Sequence, residues 1–130
     1  MKVLYFFREE GVYQDYSNLS NSRGSFVSGI YIPSKDIALC REAHGGSPGS
    51  GPVLTDNEDL LNELRFLKDG HVPDKDGVNY SSIKEADVDE DKIRKLIEDA
   101  KKIKELAPTY NSLVSDMMSG YLELVKEINI

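Results

Sequence analysis

The sequence has very little cysteine, no tryptophan and no long hydrophobic run, and these absences exclude several classes of protein. The single cysteine, Cys40, excludes an internal disulfide and a zinc site built from several cysteines. The apolar run Val3–Phe7 is too short for the core of a signal peptide, and charged residues follow it at once. No apolar run approaches the length of a transmembrane helix. We therefore expect a cytoplasmic protein.

Basic charge is also scarce. The chain has 16 Lys and Arg against 23 Asp and Glu, which gives a net charge of −7 and a pI of about 4.8. The basic residues do not cluster with aromatic residues, so we expect the protein to bind neither nucleic acid nor a membrane surface. The imbalance is concentrated in residues 53–91, which contain twelve acidic and four basic side chains and so carry a local net charge of −8. Such a surface attracts cationic partners.

The length and patterning predict one α+β domain spanning residues 1–130. Residues 1–44 are mainly strand-like, with aromatic and β-branched runs that predict an antiparallel meander of three or four strands. Residues 45–55 form a glycine-rich loop, and residues 56–130 are mainly helical. We expect the small sheet to be covered by three helices, of which the last two form an antiparallel hairpin.

Helix boundaries are visible in the second half. Thr55 and Glu58 have the spacing of a capping box, and a leucine stripe follows as far as Gly70. Residues 71–86 are polar and rich in turn formers, so they predict a connection. A second helix is predicted from Asp87 or Asp89, where acidic side chains favour the positive end of the helix dipole.

The third helix is predicted to begin at Pro108, which suits the first turn of a helix. Within it, Met117 and Met118 are adjacent and cannot both face the same core. A homodimer formed through the helical hairpin would give the second methionine a contact, and so would a helix packed on two sides.

The glycine-rich stretch suggests one alternative function, a small-molecule or nucleotide-binding protein that is oligomeric and closes the Gly45–Gly51 loop over its ligand. The stretch lacks the Lys-Ser/Thr pair of a phosphate-binding P-loop, since Pro52 and Val53 follow its last glycine. The residues assigned to this alternative are Arg23, Arg41, His44, Gly46, Gly49 and Gly51.

Two other constellations carry little chemistry. Cys40 and His44 have the residue types of a nucleophilic pair, but Cys40 lies in an apolar run typical of a buried thiol. Asp74–Gly77 resembles part of a calcium loop, yet the aligned twelfth position is Ile83, where glutamate is required. We therefore predict no metal, no cofactor and no enzymatic activity.

The preferred hypothesis is a stoichiometric inhibitor, such as an immunity protein that neutralises a basic nuclease toxin. Single-domain size, the lack of a catalytic motif and the local charge excess favour rapid electrostatic capture of a basic protein. Tyr80 would supply an aromatic anchor. The predicted partner-binding residues are Asp69, Asp74, Asp76, Tyr80, Glu85, Asp87, Asp89, Glu90 and Asp91.

Overall fold

The computed structural model describes residues 1–11, 25–44, 52–75, 77–106 and 112–129. The elements in chain order are β1 (Lys2–Glu10), β2 (Ser25–Ile32), β3 (Ile37–His44), β4 (Val53–Leu54), α1 (Glu58–Lys68), β5 (Val78–Asp87), α2 (Glu90–Leu106) and α3 (Ser112–Ile128). The α+β fold is confirmed. Most of the glycine-rich loop lies outside the described residues.

The five strands form one antiparallel sheet in the order β4-β3-β2-β1-β5. The first three follow the chain as a meander, as predicted, and β4 continues it. The sheet has five strands rather than three or four, and the prediction of a loop was wrong for Val53 and Leu54, which pair with β3. Because β4 and β5 lie at opposite edges, α1 connects them by crossing one face of the sheet. The hairpin of α2 and α3 covers the other face. The sheet is thus buried on both sides, although it is antiparallel.

The sheet has a hydrophobic core on each face, and side chains that alternate along the strands contribute to both. In β1, Val3 packs toward the hairpin and Leu4 packs toward α1, as the period of two requires. The α1 core combines its leucine stripe with Phe6 and Tyr31. The sheet packs closely at Gly29, where an added Cβ would lie 2.1 Å from the carbonyl oxygen of Leu39.

A side-chain network joins α1 to the turn between β2 and β3. The Tyr31 hydroxyl donates to Asp36 at 2.6 Å, and Arg65 on α1 donates to the same carboxylate at 2.8 Å. These hydrogen bonds, that from Arg65 foremost, hold the pKa of Asp36 at about 2. Asp36 adopts a positive φ of 52°, which aspartate tolerates in turns.

The first helix begins two residues later than the capping box predicts, since its N-cap is Asn57 rather than Thr55. The Thr55 amide donates to the Ala38 carbonyl at 3.1 Å, which keeps the chain extended beside β3. Asn57 becomes the N-cap, and its side-chain oxygen accepts from the Leu60 amide at 3.2 Å. The predicted Thr55 cap was therefore wrong, because sheet pairing engages that residue first.

The segment predicted as a polar connection contains most of β5, and that prediction was wrong for residues 78–86. Asp87, one of the two predicted starts of the second helix, is the last residue of this strand. The side chains of β5 are alternately half-buried and exposed, so neither face shows the apolar pattern of a core strand. It pairs with β1 along its length, and Ser81 is an extra residue in the register between Arg8–Tyr80 and Phe7–Ser82. This bulge also disrupts the sheet's free edge.

The second helix begins at Glu90, and the Asp89 carboxylate accepts from the Asp91 amide at 2.8 Å. The helical hairpin is confirmed, since Lys92 near the start of α2 pairs with Glu127 near the end of α3. Met117 is buried, whereas the neighbouring Met118 is half-buried. The homodimer stays a prediction. Within the described ranges, no helix is long and apolar enough to cross a membrane.

Candidate binding surface

A buried ion pair connects the sheet to α1. Arg8 points from β1 toward the helix, and Glu63 points from α1 toward the strand. The Arg8 Nε donates to Glu63 Oε1 at 2.9 Å and its Nη2 donates to Oε2 at 3.1 Å, a bidentate geometry. Only 8% of Arg8 and 5% of Glu63 are exposed. Their burial makes the pairing obligatory, because an isolated charge in this environment would be costly.

Three further groups complete this ionic network. The Tyr80 hydroxyl donates to Glu63 Oε1 at 2.7 Å, and Lys75 Nζ lies 3.2 Å from Oε2. Glu10 accepts from Arg8 Nη1 at 2.7 Å. Burial alone would raise the pKa of Glu63, but the hydrogen bonds from Arg8 and Tyr80 outweigh it and hold that pKa below its ordinary value. The network binds β1, α1, β5 and the 71–75 segment together.

A polar cleft of about 290 Å³ opens beside this network. Its charged lining residues are Arg8, Glu10, Glu42, Asp59, Glu63 and Lys75. Four of these carry negative charge and two carry positive charge, so the cleft is anionic as a whole. Among the described residues, no group of three acidic, histidine or cysteine side chains has the arrangement of a metal site.

A second concavity, the Phe66 groove, adjoins the cleft across Asp59, Glu63 and Lys75 and encloses about 350 Å³. Its apolar lining consists of Phe66, Val72 and Pro73, with His71 at the same wall. Phe66 is 59% exposed and Val72 is 57% exposed, the two highest values among the exposed large hydrophobic side chains of the described residues.

Local structure explains why Phe66 points outward. The stripe Leu60, Leu61, Leu64 and Leu67 faces the sheet, and Phe66 falls on the opposite side of the helix. Gly70, with a φ of 86°, then reverses the chain. The His71 amide donates to the Phe66 carbonyl at 2.9 Å, which folds the 71–75 segment back beside the ring.

The predicted partner-binding residues divide between two places. Asp74 lines the Phe66 groove, and Asp69 ends α1 three residues after Phe66. Tyr80 is half-buried and its hydroxyl is held by Glu63. Asp76 lies outside the described residues.

The other five residues lie toward the opposite end of β5, in Glu85, Asp87, Asp89, Glu90 and Asp91. A strand of this length spans about 30 Å at ~3.3 Å per residue, so Asp87 at its end lies far from Asp74, which precedes its beginning. Several carboxylates in the second group already have partners. Asp87 accepts from the Met1 amino group at 2.6 Å, and Arg94 pairs with both Glu90 and Asp91. The acidic segment is therefore not one continuous patch.

Most residues of the ligand-binding alternative belong to segments that the structure does not describe. Arg23, Gly46, Gly49 and Gly51 lie outside the described residues. Arg41 is half-buried on β3, and the backbone of His44 ends that strand. That alternative stays a prediction.

Cys40 is buried on the α1 face with 1% of its surface exposed. Burial raises the pKa of its thiol to about 12, so the thiolate is scarce at neutral pH. This position does not favour a nucleophilic role for Cys40.

Sequence reasoning missed the Phe66 groove and the buried ion pair. Two signals were present: Phe66 interrupts the polar side of the leucine-striped helix, and Arg8 continues the inward alternation of Leu4 and Phe6. Neither signal identifies a partner side chain, because Glu63 lies 55 residues from Arg8 in the chain.

The fold and surface define an α+β protein with an exposed anionic and apolar face. No protein-family model matches the chain, and comparison with the curated proteins and with the solved structures found no significant match.

Proposed function

We propose that this protein is a stoichiometric, protein-binding inhibitor of the immunity type, which captures a basic partner such as a nuclease toxin. The observation that carries the proposal is the Phe66 groove, where two strongly exposed hydrophobic side chains lie among carboxylates. An apolar centre with a charged surround is the usual anatomy of a protein-recognition surface.

The charge distribution supports the same conclusion. Asp59 and Asp74 line the groove, and the adjoining cleft adds Glu10 and Glu42. Carboxylates around an apolar contact accelerate the approach of a cationic protein and disfavour anionic competitors. The one cysteine is buried and unpaired, which suits a reducing compartment, so we include a cytoplasmic location in the proposal.

Native mass spectrometry of the protein recovered from its host's lysate tests this proposal. The tag belongs at the carboxyl end, because the Met1 amino group is bonded to Asp87. We expect a partner of fixed stoichiometry at low salt that is lost at high salt. A small-mass adduct would favour the ligand-binding alternative instead, and a bare monomer at both salt concentrations would contradict capture of a protein.

A matched pair of variants then assigns the surface. Asp69→Ser/Asp74→Ser removes two charges beside the Phe66 groove, and Glu85→Ser/Glu90→Ser removes two charges toward the far end of β5. With the identified partner, the first variant should slow association and flatten its salt dependence. The second should leave both nearly unchanged. Equal effects of the two variants would show that the groove is not the contact surface.

A further inference from the structure

We infer that the Phe66 groove receives one arginine side chain of the partner, with the guanidinium stacked on the Phe66 ring and bonded to the Asp59 and Asp74 carboxylates. This inference rests on the proposed function and specifies the chemistry that the surface recognises. It follows from the shape of the groove, the exposure of the ring and the state of the nearby carboxylates.

The groove is large enough to admit a long side chain. Its volume of about 350 Å³ is at the small end of the range for ligand pockets. Val72 and Pro73 provide an apolar wall for the methylene groups of such a side chain, while Phe66 presents an exposed ring. A cation over an aromatic face is attracted by the ring's quadrupole.

The carboxylates differ in their capacity to accept a new donor. Glu63 already accepts hydrogen bonds from Arg8, Tyr80 and Lys75. Within the described part of the chain, Asp59 and Asp74 make no hydrogen bond or ion pair through their side chains, and both line the groove. A guanidinium has five N–H donors and can serve two carboxylates at once.

Arginine fits this combination better than lysine. A guanidinium is planar and weakly hydrated, so it can stack on an aromatic ring while its edge donates hydrogen bonds. An ammonium group is compact and strongly hydrated, and it loses more hydration against an apolar wall. Both cations would feel the carboxylates, but stacking on Phe66 favours the guanidinium.

Two capped hexapeptides of equal charge, hexa-arginine and hexa-lysine, test this inference by NMR titration of the ¹⁵N-labelled protein at low salt. The amides of Phe66 and Val72 report on the groove, and that of Glu85 serves as a distant reference. We expect hexa-arginine to shift the groove amides saturably and to bind about threefold or more tightly than hexa-lysine.

Substitutions separate stacking from charge. Phe66→Leu keeps an apolar side chain but removes the ring, so it should abolish the preference for arginine while charge-driven binding of both peptides persists. Asp59→Asn/Asp74→Asn should weaken both peptides, and Glu85→Gln/Glu90→Gln is the charge-matched control. The variants should retain the parent spectrum elsewhere, because all of these side chains are exposed.

Equal affinities for the two peptides, a preference that survives Phe66→Leu, or shifts centred on Glu85 would overturn the inference. Those results leave salt-dependent capture of a protein partner intact, so they would not count against the proposed function. Conversely, if native mass spectrometry of the protein recovered from the lysate finds no protein partner, the proposed function is contradicted even if the groove discriminates between the peptides.

Discussion

The two faces of the sheet are covered unequally, and the difference locates the candidate binding surface. The hairpin face carries two helices of 17 residues each, whereas the α1 face carries one helix of 11 residues. Beneath the longer helices the core joins apolar strand residues to apolar helix residues. Beneath α1, the polar end of the sheet extends past the leucine stripe, and Arg8 and Glu63 fill the remaining space.

Incomplete coverage of the α1 face therefore creates the candidate binding surface. A short helix leaves a polar cleft at one end and directs Phe66 outward beside a returning segment. On the hairpin side Asp99 is also buried, but its partner Lys95 lies on the same helix and reaches it from solvent. The ion pair beneath α1 instead bridges helix and sheet, so it links the stability of that face to the position of the binding surface.

Breaking the ion pair should have the largest effect on stability. Arg8→Met leaves Glu63 buried without its bidentate partner and should lower the free energy of unfolding by about 3–5 kcal/mol. The double variant Arg8→Met/Glu63→Met should recover most of this loss, because no uncompensated charge remains. Urea denaturation measures both values. A single variant that loses less than about 1 kcal/mol would mean that water or Lys75 replaces Arg8 without cost.

Creating a cavity on the other face should cost slightly less. Ile93 is fully buried between α2 and the sheet, and Ile93→Ala should lower the free energy of unfolding by about 2–5 kcal/mol. Because Ile93 and Arg8 lie on opposite faces, the combined variant should be additive within about 0.5 kcal/mol. A large coupling energy would show that the two faces do not behave as separate cores.

The acid stability of the protein should depend on the α1 face. The pKa of Glu63 is lowered in the folded state from its ordinary 4.5, so its contribution to stability is complete above that value and is lost as the pH falls through the lower folded pKa. Unfolding free energies measured in small steps below pH 5 should therefore decline less in Arg8→Met/Glu63→Met than in Ile93→Ala, which keeps the pair. Parallel curves for the two variants would contradict this assignment.

Truncating the exposed ring should have the smallest effect on stability. Phe66 is largely exposed and off the leucine stripe, so Phe66→Ala should change the free energy of unfolding by no more than about 0.5 kcal/mol. Thermal or urea denaturation tests this expectation, and Leu64→Ala, two positions earlier and buried, is the contrasting control. A loss comparable to that of Leu64→Ala would indicate that Phe66 serves the fold rather than a partner.

Much of the fold could be predicted because its signals are local. The leucine stripe of α1 and the stop at Gly70 mark the first helix, and short apolar runs mark β2 and β3. The strand β5 escaped prediction because it is an edge strand with polar side chains on both faces. Its stability as a strand comes from pairing with β1, from 68 residues (Glu10–Val78) to 85 residues (Lys2–Asp87) earlier in the chain, which no local pattern reports.

The candidate surface was only half predictable. Charge counting indicated an acidic segment, and two of the partner-binding residues predicted within it, Asp69 and Asp74, lie beside or within the Phe66 groove. It could not show that β5 carries Glu85 and its neighbours toward the other end of the sheet, because charge counts ignore the direction of the chain.

The sequence by itself determined the fold class, the helix stripes, the meander and the local excess of negative charge, since all of these depend on neighbours within a few turns or one strand. Tertiary structure alone decided three features: the fifth strand, the burial of Arg8 against Glu63, and the exposure of Phe66 beside the 71–75 segment. Each depends on which distant residue fills the adjoining space, and that is settled only when helix α1 crosses the face of the completed sheet.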